Sequence, residues 1–489
     1  MKPFVRLAIA LSVLLALAGI AGAQSWTTLT NQPSAATGPL LQLRDGRILV
    51  NESQGPDPGV WFILTPDVHG SYVNGTWSVT GHLPAGYAPV YFGSQVLLNG
   101  RQVVIEGGEY NNGTAVWTTL GALGTITPWG NVSWVPNSPP TGWGTIGDAE
   151  SITLANGHYM QANCCTAQNA IYQGPNSWLA TGNVIQGNND ESGFTLLTNN
   201  EVLTVDAKNS ACGNGTNGGA ELYNQGTGAW TCTGQTPVHL YNPADEELGA
   251  AVLMYNNKVF QSGGNIVATA VYNVASGTWT AGPTPPNGLD QADGPSALLP
   301  NGNVLNDYSP GLFQAGCQFM EYNPSLNSLS FAPNGLGCPS GSSFYGHLMI
   351  LPTGQVLFTD FGNSPVAVYN PASGVVAAAV PTILAASTSL GIGSVNNILY
   401  GKQLNGLTQN NGYGDDNQSD TDYPLVRLTN TQTGNVYYAF THDDSTHSIA
   451  PGTIMYTYFD LPTTIPAGKY SLQSVANGIG SNSIVVSVH

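Results

Sequence analysis

An apolar run, a two-residue turn and a second apolar run recur seven times along this chain. No other feature limits its fold so strongly. The copies read LQLRDGRILV at 41–50, LLNGRQVVIEGG at 97–108, ITLANGHYM at 152–160, TLLTNNEVLTVD at 195–206, VLMYNNKVFQSGG at 252–264, ALLPNGNVLND at 297–307 and MILPTGQVLFTD at 349–360. Their turns are Asp-Gly, Asn-Gly, Asn-Asn or Thr-Gly, residues that tolerate the positive φ a two-residue hairpin needs. The second turn residues fall at 46, 100, 157, 200, 257, 302 and 354, spaced 43 to 57 residues apart. Most copies are followed by a Tyr, a turn and a Trp: YVNGTW at 72–77, YNQGTGAW at 223–230 and YNVASGTW at 272–279. YQGPNSW at 172–178, YNPSLNSLSF at 322–331 and YNPASG at 369–374 are weaker forms. Two hairpins per repeat make four strands, and a four-stranded unit at this period is a propeller blade. The sequence therefore predicts an all-β chain with a seven-bladed β-propeller over residues 24–380. Seven unrelated hairpins in a sandwich are the alternative.

Beyond residue 380 the repeat is lost. YPLVRLTN, NVYYAFTH, MYTYFDLP, KYSLQSVANG and SIVVSV alternate apolar and polar residues between Pro and Gly turns. They predict a C-terminal immunoglobulin-like β-sandwich over 381–489. At the other end, Lys2 and Arg6 precede an apolar run at 7–20 and small residues at 21–23, the pattern of a signal peptide over 1–23. The expected location is secreted, extracellular or at the cell surface, where thiols oxidise. No other stretch approaches 18 apolar residues, so no membrane span is expected. Charged residues make up 8% of the chain, 28 acidic against 10 basic, for a formal net charge of −18. That surface repels nucleic acid and anionic lipid, which excludes both as partners.

The hairpins LPNGNVL and LPTGQVLF, with YNxxxGTW, resemble the blades of the galactose oxidase and glyoxal oxidase family of kelch-type propellers. Residues 413–447 resemble the last domain of its secreted bacterial members. The resemblance spans the chain after residue 23. It implies a kelch-type propeller and, in the family's enzymes, a copper centre with a radical on a Tyr cross-linked to a Cys. The family places its ligands nine residues before the hairpin glycine, with a Tyr-His pair there and a further His on an axial loop of the last domain. Here those positions hold Thr37, Tyr91, Asp148, Glu191, Leu248, Asp293 and Tyr345. None is a Cys, and the nearest approach to Tyr-His is YGH, with His347 two residues after Tyr345. His442 in THDDSTH is the match for the axial His. The fold is expected to carry over and the copper-radical site is not.

The same register puts Asp148, Glu191, Asp293 and the neighbouring Glu247 at one level of the innermost strands, with Tyr91 and Tyr345, around one mouth of the channel. Four nearby carboxylates need a cation, a shared proton or water. They predict a cation site or an acid/base pair acting on a neutral ligand such as a sugar. The alternative is acids that accept hydrogen bonds from neighbouring blades. His347 and His442 are candidate metal ligands if they approach this mouth. A second acidic group, Asp415, Asp416, Asp420 and Asp422, offers oxygen ligands to calcium or consists of solvated turn acids. No GxSxG, HExxH or P-loop motif occurs, which leaves serine hydrolase, zincin and nucleotide chemistry unsupported.

Six cysteines allow fifteen pairings. Cys212 with Cys232 and Cys317 with Cys338 each pair within one blade, leaving adjacent Cys164 and Cys165 to each other on the same face as Asp148. The latter pair is expected to form a rigid plate beside the mouth, or a structural clip. The sequons at Asn74, Asn112, Asn214 and Asn417 suit exposed turns. The leading functional expectation is a non-catalytic exported protein that binds a neutral ligand, a glycan, or assembles with itself. The alternatives are a copper oxidase with a site rearranged around Tyr91, Tyr345, His347 and His442, and a cation-assisted carbohydrate hydrolase or lyase. No cofactor is certain from the sequence; calcium and copper are the two to test.

Overall fold

The structure, a computed structural model, describes residues 23–52, 59–207, 211–213, 217–244, 246–336, 338, 340–414 and 420–489. The signal segment 1–22, Asp415, Asp416 and the sequons at Asn214 and Asn417 lie outside the described residues. Each of the seven inner-hairpin turns is built as its residues predict. Gly46, Gly100, Gly157, Asn200, Asn257, Gly302 and Gly354 have φ between 60° and 90°. That is the left-handed region, which Gly and Asn enter at least cost.

Among the described residues these hairpins start seven antiparallel sheets, six of four strands and one, the sixth in chain order, extended to five by Asn411–Gly412. Their innermost strands are Leu40–Gln42, Gly93–Val96, Ser151–Thr153, Thr195–Leu196, Leu248–Met254, Ser296–Leu298 and His347–Ile350. Each touches the next in chain order, and the last touches the first, so the sheets close into a ring. The core lies between neighbouring sheets. Trp61 and Leu49 of the first pack on Phe92, Val103 and Ile105 of the second. Leu40 and Val50 of the first pack on Met349 and Val368 of the last.

The outer hairpins place the Tyr and Trp signature in register. Tyr172 faces Trp178, Tyr223 faces Trp230 and Tyr272 faces Trp279, with ring centroids 5.3, 5.3 and 5.0 Å apart. The first repeat differs. Trp77 pairs with Leu64, while Tyr72 sits in the connecting loop and donates its hydroxyl to Gly46 O.

The last sheet explains why YNPASG lacks its Trp. Its outermost strand is Ser25–Thr28 from the other end of the chain, and Trp26 pairs with Tyr369. Trp26 also packs on Phe319 at 4.6 Å, and its indole N–H donates to Pro333 O at 2.6 Å. The ring is therefore closed by a four-residue strand from the other end of the chain, with Trp26 as its aromatic anchor. Trp26→Ala should cost about 3 kcal/mol, the low end for Trp truncation because the residue is only partly buried. A denaturant midpoint unchanged from wild type would show that the latch does not bear on stability.

The strands Leu425–Asn430, Val436–His442, Ile454–Asp460, Gly468–Ala476 and Ile484–Val488 follow the five alternating segments of the C-terminal region. They wrap a core of their own that includes Leu399, Val426, Phe459 and Leu472. This unit rests on the inner-hairpin turns. Thr441 N donates to Arg44 O, His447 N to Ala155 O, and Ser448 Oγ to Asn200 Oδ1. The carboxylate mouth is at the opposite end of the same inner strands. Among the described residues no helix is long and apolar enough to cross a membrane.

Candidate functional site

The inner strands end at the mouth in residues with unusual backbone. Tyr91, Glu191 and Asp293, all at the same register position, have φ of 53°, 58° and 47°. A left-handed non-glycine residue costs about 1–2 kcal/mol, and such strain collects where side-chain direction matters. All three side chains line one cavity of about 150 Å³. Asp148, Glu247, Glu109, Tyr110, Phe313 and Phe344 complete its wall.

The carboxylates are close. Oxygens of Glu191, Glu247 and Asp293 lie within 4.8 Å of one another, and so do those of Asp148, Asp190 and Glu191. Glu191 belongs to both groups. Burial, then the charges of Glu247, Asp293 and Asp148, push its carboxyl well above the usual range. Asp148 is raised to about 7 by burial and by Asp190. Glu109 is raised to about 7 by burial and by Asp148. No Lys or Arg lines the cavity, so protons or a bound cation must offset the charge.

An axial segment packs against the mouth from below. Residues 408–414 of the C-terminal region climb the inner faces of three sheets. Thr408 Oγ1 donates to Leu253 O, Asn410 Nδ2 donates to Leu298 O, strand Asn411–Gly412 pairs with Ser296–Leu298, and Asn411 Oδ1 accepts from Ile350 N. At the top, Tyr413 stacks between Tyr91 (6.3 Å) and His347 (5.6 Å) and donates its hydroxyl to Phe344 O. Gly414 must be glycine, because a Cβ there would stand 2.2 Å from Asp293 Oδ1. Gly414→Ala should therefore displace Asp293 and destabilise the protein by about 1–3 kcal/mol. A denaturant midpoint that matches wild type would count against this packing.

The sequence-predicted residues separate into those that meet and those that do not. Tyr91, Asp148, Glu191, Glu247 and Asp293 share the cavity. Tyr345 lies behind it, packed on Phe344 and Phe361. His347 is buried one layer away, its basicity lowered to about 3 by burial, so it is a neutral ring in an aromatic stack. His442 is at the far end of the strands, with Nδ1 2.8 Å from Asp443 and Nε2 3.1 Å from Asp460. The axial position belongs instead to Tyr413.

Asp420 and Asp422 are not solvated turn acids. Both are buried: Asp420 accepts from Gln409 Nε2 at 2.8 Å, and Asp422 Oδ2 lies 3.1 Å from His447 Nε2. Burial and Asp422 push the Asp420 carboxyl well up. Neither belongs to a group of three metal-ligating side chains among the described residues.

The cysteines pair as the blade register predicts: Cys164–Cys165, Cys212–Cys232 and Cys317–Cys338. Cys164 is buried with Sγ 3.3 Å from Asp190 Oδ1, and Cys165 is exposed. Gly147 separates Cys164 from Trp117, an indole 51% exposed whose Nε1 is 3.3 Å from Asp148 Oδ2. The vicinal pair thus stands beside the mouth.

Glu109, Tyr110, Trp117, Asp190, Phe313 and Phe344 were not legible in the sequence. The first three sit on an excursion between the second and third strands of the second sheet, where Tyr110–Asn111, Thr114–Ala115 and Pro89–Val90 form a small sheet. The long interval from 100 to 157 is its one trace.

Ring closure, four-stranded sheets and an axial segment define a galactose oxidase-like β-propeller fold. A fungal copper alcohol oxidase of the AA5 family, solved in complex with copper, superposes with a TM-score of 0.54 over 95% of this chain and 99% of that one, at 14% identity. A streptogramin B lyase covers 72% of this chain and 97% of its own at 11% identity, with a TM-score of 0.47. A virginiamycin B lyase from Staphylococcus aureus, a catalytically inactive H270A form with quinupristin, covers 71% and 99% at 11% identity and the same score. No family model matches the chain, and no curated protein matches it in sequence.

The likeness to the copper oxidase is one of fold. A copper-radical centre does not fit these residues. All six cysteines are in disulfides, leaving none to cross-link a tyrosine. The two candidate histidines occupy opposite ends of the propeller.

Proposed function

We propose that this chain is an extracellular binding propeller that takes a neutral, hydroxyl-rich ligand, a glycan, at the carboxylate mouth. On this reading residues 24–380 form the propeller and 381–489 an immunoglobulin-like unit closing its other end. The observation that carries the proposal is one cavity with a carboxylate floor and an aromatic wall of Tyr91, Tyr110, Phe313 and Phe344. Carboxylates accept hydrogen bonds from hydroxyls, and aromatic faces cover the apolar side of a sugar ring. Three disulfides suit an oxidising, extracellular setting. A glycan array probed with the full chain should give a defined set of ligands. Glu191→Gln and Phe313→Ala should each weaken the best of them tenfold or more. A blank array, or variants that bind like wild type, would overturn the proposal.

A second reading, cation-assisted hydrolysis or lyase chemistry, is favoured by one observation. Asp148 and Glu109 are both raised to about 7 beside the carboxylate triad, the range in which a carboxyl serves as acid or base. Turnover of a polysaccharide panel that Asp148→Asn abolishes without loss of fold would select it. A panel with no turnover would leave binding alone.

A further inference from the structure

We infer that Glu191, Glu247 and Asp293 form a site for one hard divalent cation of the calcium class, with Asp148 beside it to meet the ligand. The inference deepens the proposed function and rests on the mouth being the ligand site.

Three features carry it. The first is reach. Oxygens opposite one another across a calcium ion at 2.3–2.6 Å are about 4.6–5.2 Å apart. The three side chains already bring one oxygen each within 4.8 Å of the others, so a single ion can touch all three without rearrangement of the backbone.

The second is donor chemistry. The triad contains carboxylates alone, with no His or Cys, which selects calcium, magnesium or manganese over copper and zinc. Its three carboxylates supply up to six oxygens. An open cavity of about 150 Å³ leaves room for water or ligand hydroxyls in the remaining positions. A glycan's vicinal hydroxyls are neutral donors of the kind that complete such a shell.

The third is Asp148. It is only 5% exposed and lines the same cavity, yet its Oδ1 has no hydrogen-bond partner. A buried carboxylate oxygen left unpaired costs free energy unless a ligand or ion completes it. Its other oxygen faces Trp117 Nε1, which fixes the carboxyl in place.

The test uses the full chain stripped with a chelator and titrated with calcium chloride alone, then manganese chloride alone, by calorimetry at pH 8. Saturable binding of one cation per chain is expected, weakened at least tenfold by Glu191→Gln and by Asp293→Asn. Both variants remove a like charge from a crowded pocket, so they should fold and melt no lower than wild type without cation. The cation-induced rise in melting temperature should vanish in them. Asp206→Asn, in the separate buried pair with Glu221, should bind like wild type. No saturable heat with either ion, or binding that both mouth variants leave unchanged, overturns the inference. Glycan binding that survives chelator and still falls in Glu191→Gln would overturn the cation site while preserving the proposed function. Calcium binding with a blank glycan array would do the reverse.

Discussion

Lowering the pH from 8 to 5 should stabilise the chelator-treated protein by an amount on the order of 5 kcal/mol. Several buried carboxyls hold their protons far above the usual range. Asp206 is raised to about 8 by burial and by Glu221. Asp148 and Glu109 stand at about 7, and Asp360 at about 6, in each case chiefly through burial. Between pH 4 and these values the native state keeps protons that the unfolded chain has lost, so stability falls as pH rises. It is fully present near pH 4, declines from there as pH rises, and is gone for each group once pH passes its folded-state value of about 6 to 8. One such proton is worth about 1.4 kcal/mol per pH unit, and mutual repulsion at the mouth prevents simple addition. Denaturant midpoints at pH 5, 6.5 and 8 in EDTA test this. A midpoint that rises toward pH 8 contradicts it. Asp206→Asn should flatten the slope by removing one of the contributors.

Asp444→Ala should destabilise the protein by about 3–5 kcal/mol, the cost of leaving a buried charge without its partner. Arg44 precedes the first inner-hairpin turn and is fully buried. Its Nη1 donates to Asp444 Oδ2 at 2.5 Å, and its guanidinium lies 4.4 Å from the centroid of the Tyr423 ring. Tyr423 in turn donates its hydroxyl to Gln42 O. This contact ties the C-terminal unit to the first blade in a place that water cannot reach. Replacing both partners, Arg44→Met with Asp444→Leu, should recover most of the loss, because the penalty comes from the orphaned charge. Equal losses in the single and double variants would mean that shape, not charge, holds this contact.

The inner hairpins were readable because their turns require positive φ at one residue, and only a few residue types supply it. That periodicity also set the register that brought Tyr91, Asp148, Glu191 and Asp293 to one level, with Glu247 one step away. What the period could not reach lies off the blades. Trp117 and Glu109 come from an insertion, and Asp190 and Phe344 from connecting loops that obey no repeat. The missing Trp in YNPASG was a signal of the latch, since a blade lacking its outer strand must receive one from elsewhere. His442 was expected on the axial loop, but it ends strand Val436–His442 and is paired with Asp443 and Asp460, while the axial segment is 408–414. The Asp420–Asp422 pair was expected in solvated turns because sequence shows that a segment is polar, but not that its polar residues are buried and paired.

Crystals of the full chain grown with manganese, measured for anomalous scattering at the manganese edge, would locate a cation directly. The expected result is a peak among Glu191, Glu247 and Asp293, within bonding distance of all three. A clear peak elsewhere with none at the mouth, or no peak at saturating manganese, would contradict the assignment of this mouth as a cation-dependent ligand site.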